Sequence, residues 1–138
     1  MSDSAPGRVV ARRRAGFVHE VETDRGHTLV IDEPPDQGGS DEGPSPTRTL
    51  AAALAACTAI TAEMYAERKG WTLDDLEVVV EMEFTGPVPT TFDVTLRCPG
   101  DLDDDQLERL RRVAAKCPVH RALAHESAVS VNDRIERC

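Results

Sequence analysis

The run Thr47 to Lys69, TRTLAAALAACTAITAEMYAERK, constrains the fold more than any other stretch of the chain. It consists of good helix formers, with Pro46 just before it and Gly70 just after it as a C-terminal stop, so it reads as one long helix. Leu50, Leu54, Cys57, Thr61 and Met64 recur at alternating spacings of four and three, which lays them along one stripe and turns Cys57 inward. Ala51 to Ala53, Ala55 and Ala56 keep this segment thin, so that another backbone can come close. A helix apolar on most of its sides is expected to be central and buried.

The flanking segments place this helix in a mixed α/β protein. Val9 to Arg14, Gly16 to Thr23 and His27 to Asp32 read as short strands separated by Ala15-Gly16 and Asp24-Arg25-Gly26, an antiparallel meander. Glu33 to Pro46 is rich in Pro, Gly, Ser and acids and reads as a long loop suited to function or dimer contact. Leu76 to Phe84 and Thr91 to Cys98 form a hairpin, with Gly86, Pro87 and Pro89 suggesting a longer connection. Asp103 to Lys116 has acids first and bases last, the order a helix dipole favours, with Leu107, Leu110, Val113 and Ala114 as its buried stripe. Pro118 opens a short helix to about Glu126, and Ala128 to Ile135 reads as a last strand. The expected order is three strands, helix, two strands, two helices and strand, in one domain over residues 1–138.

Charge narrows the partners. The formal net charge of −9 argues against nucleic acid or an anionic membrane, and the triplet Arg12 to Arg14 reads as a solvated strand edge. The N-terminus has no apolar run after its first charges, and no stretch reads as a membrane span, so a cytoplasmic protein is expected. Only 4% of residues are aromatic, which leaves the core to Ala, Val, Leu and Ile. Without a secretory leader, Cys57, Cys98, Cys117 and Cys138 read as free, metal-binding or redox-working thiols.

Two of these cysteines have positions with chemical consequences. Cys117, in KCPVH, precedes a proline suited to the first turn of a helix and follows Lys116, and both features favour thiolate. Plain packing at a helix start is the other reading of that position. Cys57 on its alanine-rich helix reads either as a small core hydrophobe or as a thiol served by the hydroxyls of Thr58 and Thr61, which could equally bond back to their own backbone. A zinc set of Cys57, Cys117, His120 and His125 lacks the paired knuckle spacing of a zinc site, so no metal or cofactor is expected. His120 and His125 read as helix-surface or interface residues, Cys98 and Cys138 as incidental, and Gly38-Gly39 as turn chemistry.

The segment DEPPDQGGSDEGPSPTRTLAAALAACTAITAEMYAERKGW, from Asp32 to Trp71, resembles the signature region of the OsmC/Ohr family, and AAKCPVHRAL, from Ala114 to Leu123, resembles its second cysteine motif. The resemblance implies an intertwined α/β (α+β) homodimer with the cysteine helices at its centre. It further implies a thiol-dependent peroxidase acting on organic hydroperoxides. Cys57 would attack the peroxide and Cys117 would resolve the sulfenic acid to a disulfide, which a dithiol reductant, lipoyl-type in relatives, would reset. Arg14, with Arg13 as the alternative, matches an arginine of the peroxidase pattern. At the place of that pattern's glutamate this sequence has Thr47 followed by Arg48, which marks a separate branch. The alternatives are a non-enzymatic protein that binds a small apolar ligand, and a redox sensor.

Overall fold

The computed structural model describes residues 7–73, 75–98, 100–124 and 129–137. The chain divides into two compact units, Met1–Ala53 with Val80–Asp93, and Leu54–Val79 with Val94–Cys138.

In the first unit β1 (Val9–Ala15), β2 (Val18–Thr23) and β3 (Thr28–Ile31) form an antiparallel sheet in the order β1-β2-β3. The meander read from the alternation is present, with β2 set by pairs such as Val10 with Glu22 and His19 with Ile31. Pairing slips by one residue between Arg13 and Ala15, so Arg14 is the extra residue of a bulge, a device that re-aims a side chain. After a single 3₁₀ turn at Pro35–Gln37 the long loop folds back on Asp32 and reaches α1 (Pro46–Lys69). Ser45 caps α1: its hydroxyl accepts from Arg48 N–H at 3.3 Å and its carbonyl accepts from Thr49 N–H at 2.9 Å.

The hairpin of β4 (Glu77–Thr85) and β5 (Val88–Arg97) has its tip in this unit and its base in the other. Its connection is the two-residue turn Gly86-Pro87, with Gly86 at φ +58°, and not the longer one that the prolines suggested. Pro89 is admitted into β5 because both strands of a two-stranded sheet are edges, where a missing N–H can face away from the partner.

The second unit is built on close helix packing. α1 ends in a Schellman motif: Gly70 at φ +73° donates to Glu67 O at 3.1 Å, and Trp71 N–H returns to Ala66 O at 2.8 Å. That turn sets Trp71 edge-on to Tyr65 at 5.4 Å between ring centres. α2 (Asp104–Ala114) starts with a reciprocal capping box, Asp103 carboxylate to Gln106 N–H at 2.8 Å and Gln106 side chain to Asp103 N–H at 2.9 Å. Its Leu110 and Ala114 pack with Ala62 and Ala66 of α1 as a fully buried cluster. α3 (Pro118–Leu123) follows after a three-residue turn. Glu126, the expected end of α3, lies outside the described residues.

Two expectations about the helices need correction. The inward face of α1 is Ala51, Leu54, Thr58, Ala62 and Ala66, while Leu50 and Met64 are 37% and 41% exposed. The buried face is therefore rotated from the stripe the larger side chains suggested, because alanines let neighbours approach more closely than leucine or methionine would. Cys57 stays buried at the edge of that face. The second correction concerns length and apolarity. α1 has 24 residues and a window of mean hydropathy 1.3, long and apolar enough by composition to cross a membrane, with a third of that window buried inside the chain. Its many alanines raise the average although each is only weakly apolar.

Residues 129–137 form no strand, contrary to the reading of Ala128 to Ile135; Ala128 itself lies outside the described residues. A strand needs an edge to pair with, and this segment pairs with none among the described residues. Val129, Val131 and Ile135 stand 63%, 81% and 98% exposed.

Candidate active site

Cys57 and Cys117 come together in the second unit. Cys57 projects from α1, and Cys117 is the N-cap of α3, where its sulfur accepts from His120 N–H at 3.3 Å. The helix-start position read from KCPVH is thus present, set by Pro118 in the first turn and by Cys117 N–H bonding Ala114 O at 3.2 Å. Both thiols are free and buried, Cys117 completely. The two thiols are close enough to influence each other's ionisation.

Burial pushes the Cys57 thiol above the ordinary cysteine value. Val119 N–H donates to its sulfur and pulls the other way; Cys117 raises it further, through their shared hydrogen bond and through like charge; and Thr61 hydroxyl adds a smaller pull downward. Cys57 therefore holds its proton more tightly than an ordinary thiol does. The sulfurs of the pair are nonetheless supplied with donors placed for negative charge, from Val119, Thr61 and His120. Of the two flanking threonines, Thr61 serves Cys57, whereas Thr58 bonds back to Leu54 O at 2.8 Å and meets Cys117 Sγ at 3.9 Å.

One further cysteine is described. Cys98 is half-buried beside the α1–α2 cluster, its thiol also raised by burial, and Cys138 lies outside the described residues, as does His125. His120 Nδ1 is buried without a hydrogen-bond partner among the described residues.

Arg14 belongs to the first unit. From its bulge it reaches Glu20 at 2.5 Å and Glu42 at 3.6 Å, and the Glu20 hydrogen bond and charge hold its guanidinium above its ordinary pKa. Arg13 instead donates from Nε to Gly16 O at 2.8 Å. Glu42 is brought to Arg14 by a feature that strand and loop patterns do not reveal, the buried carboxylate of Asp32. It accepts the N–H groups of Glu33 at 2.7 Å and of Ser40 and Glu42 at 3.1 Å each. Burial works to raise the Asp32 pKa, but these three donors and the charge of His19 outweigh it and leave the carboxyl below the usual range. Thr47 and Arg48, where the expected glutamate is missing, line a cleft of about 500 Å³ together with Glu33, Asp36 and Phe84.

Fold and site together define a mixed α/β protein with a buried, interacting dithiol. The chain belongs to the OsmC-like protein family, whose model matches residues 39–132 and so includes both cysteines. No curated protein sequence matches it. Among solved structures it is similar to the OsmC-like protein from Mycoplasma pneumoniae, at TM-score 0.76 and 18% identity, over 88% of this chain and 89% of that one. It is also similar to the organic hydroperoxide resistance protein OsmC from Legionella pneumophila, at TM-score 0.64 and 23% identity over 88% and 91%. A third likeness is to the organic hydroperoxide resistance protein OhrB of Bacillus subtilis, at TM-score 0.56 and 25% identity over 86% and 90%.

Proposed function

We propose that this protein is a thiol peroxidase that reduces organic hydroperoxides through Cys57 and Cys117. The observation that carries the reading is the buried, interacting pair of free thiols on two different elements. Family membership and the likeness to hydroperoxide resistance proteins support a peroxide-resistance role at the level of the family. In the reaction the Cys57 thiolate attacks the outer oxygen of ROOH. The O–O bond breaks, a proton joins the alkoxide to give ROH, and Cys57 is left as sulfenic acid. Cys117 then displaces the sulfenic hydroxyl as water and forms the disulfide. A dithiol reductant of lipoyl type returns both thiols.

The working unit in this reading is a homodimer in the cytoplasm, with residues 1–138 as one domain. Exposed Leu50, Ile60 and Met64 on α1, and the unpaired Val129, Val131 and Ile135, support a second copy that covers the helix and pairs the tail. Light scattering at low micromolar concentration tests this, and a stable monomer overturns it. Arg14 takes part by stabilising the Cys57 thiolate, with Glu20 and Glu42 holding it in place.

Single-turnover loss of cumene hydroperoxide tests the division of labour. Cys57→Ser should consume none, because a serine hydroxyl is a far poorer nucleophile at neutral pH. Cys117→Ser should consume one equivalent per chain and stall with Cys57 as a sulfenic acid that dimedone traps for mass spectrometry. Full turnover by Cys57→Ser would refute the mechanism.

A further inference from the structure

We infer that Thr58 is the hydrogen-bond donor that makes Cys117 nucleophilic in the resolving step, by turning its hydroxyl from Leu54 O to the Cys117 sulfur. The inference rests on the reading of Cys117 as resolving thiol and adds to it the group that acts on that sulfur. Thr58 is 1% exposed and Cys117 is 0% exposed, so no water substitutes for the donor. A threonine hydroxyl has one proton, and here it has two acceptors in reach: Leu54 O at 2.8 Å and Cys117 Sγ at 3.9 Å. While Cys117 is a neutral thiol the carbonyl is the better acceptor and takes the proton. Once the sulfur is anionic the order reverses, because a charge-assisted hydrogen bond is roughly twice as strong as a neutral one. A rotation about one Thr58 bond then gives the thiolate a second donor beside His120 N–H. Leu54 O keeps its place in the helix ladder when the hydroxyl leaves.

Cys57 on α1 is the titratable group that reaches Cys117 across the site, and Lys116 and His120 are its titratable neighbours along the chain. The step balances without an added reagent. The Cys117 S–H bond is lost, the S–S bond forms, the Cys57 S–O bond breaks, and the departing hydroxyl leaves with the Cys117 proton as water.

The test uses a probe that does not depend on peroxide. In a Cys98→Ser/Cys138→Ser background, treatment with one equivalent of 5,5′-dithiobis(2-nitrobenzoate) labels Cys57, the less buried thiol of the pair, as a mixed disulfide and releases one coloured thiolate. Attack by Cys117 then releases the second, so its rate reads Cys117 alone. Thr58→Val preserves the branched shape and removes the hydroxyl. It should slow the second release about tenfold, the scale of one hydrogen bond to a charged group, and should move its pH profile upward. The first release should keep its wild-type rate. Thr58→Ser, which retains the hydroxyl, should restore both the rate and the profile, a rescue that a packing role would not produce. An unchanged second release in Thr58→Val, or equal slowing in both variants, overturns the inference. Failure of the wild type to consume cumene hydroperoxide would sink the peroxidase reading and leave this result standing.

Discussion

Leu110→Ala is predicted to be among the most damaging single truncations in the second unit. Leu110 is 1% exposed, and its buried neighbours are Ala62, Ala66 and Ala114. The substitution removes three carbon atoms from this cluster, about 2.5 kcal/mol at roughly 0.8 kcal/mol each. A cavity term adds to that, and it should be large because alanine methyls cannot swing into the space. A loss of about 3–5 kcal/mol follows, in the upper part of the range for buried leucines. At this chain length that is a fall in Tm of about 12–20 °C. The same cavity loosens Ala114, whose carbonyl holds Cys117 N–H, so disulfide formation should slow as well. Urea unfolding followed by circular dichroism measures the first effect. Ile60→Ala, at a position 42% exposed in the chain, serves as the contrast. It should cost under about 0.5 kcal/mol in a monomer, and more, in a concentration-dependent way, if a second copy covers the helix. A loss below about 1.5 kcal/mol for Leu110→Ala would refute the claim that the alanine-lined seam cannot collapse.

Asp32→Asn should flatten the acid limb of stability: a folded-state carboxyl held below its ordinary value contributes stability that is present above the ordinary aspartate range and lost as pH falls through the folded value, which urea midpoints at stepped pH will show. Gly39→Ala should destabilise the first unit by about 1–3 kcal/mol or more, since a Cβ there would lie 1.8 Å from Glu33 O and the loop must move; a wild-type melting curve would count against this. The raised Cys57 thiol works in the opposite sense to Asp32: its contribution to stability is full below the ordinary thiol value and declines as pH rises through the folded one, so alkylation of Cys57 by iodoacetamide should need a higher pH than in the urea-unfolded chain. Arg14→Ala should slow Cys57 alkylation at neutral pH, because a nearby cation favours the thiolate; a wild-type rate in the variant at neutral pH would remove Arg14 from the site.

Punctuation was the most readable part of the sequence. Pro46 and Gly70 bound α1, Asp103 opens α2, and Pro118 starts α3, each through backbone groups that those residues can or cannot satisfy. Cys57 and Cys117 were legible as candidates, and their family resemblance put them in one pair. What stayed hidden depends on approach distance. The face of α1 that packs is chosen by how closely Ala62 and Ala66 allow α2 to come, and side-chain hydrophobicity points instead to Leu50 and Met64. Asp32 was invisible for a related reason: the groups it binds are backbone N–H groups of a loop, and no residue code announces them. The unpaired segment 129–137 has the alternation of a strand, but alternation alone supplies no partner.

The small side chains of α1 also bear on how such a dithiol could be transplanted. A disulfide needs its two Cα atoms within about 4.4–6.8 Å, so the elements that carry the cysteines must approach closely. Here the buried face of α1 next to Cys57 is made by Thr58 and Ala62, both small and neither containing sulfur. A designer who copied the two cysteines onto another helix pair, and filled the neighbouring positions with larger side chains for core stability, would push the two elements apart and lengthen the gap between the thiols.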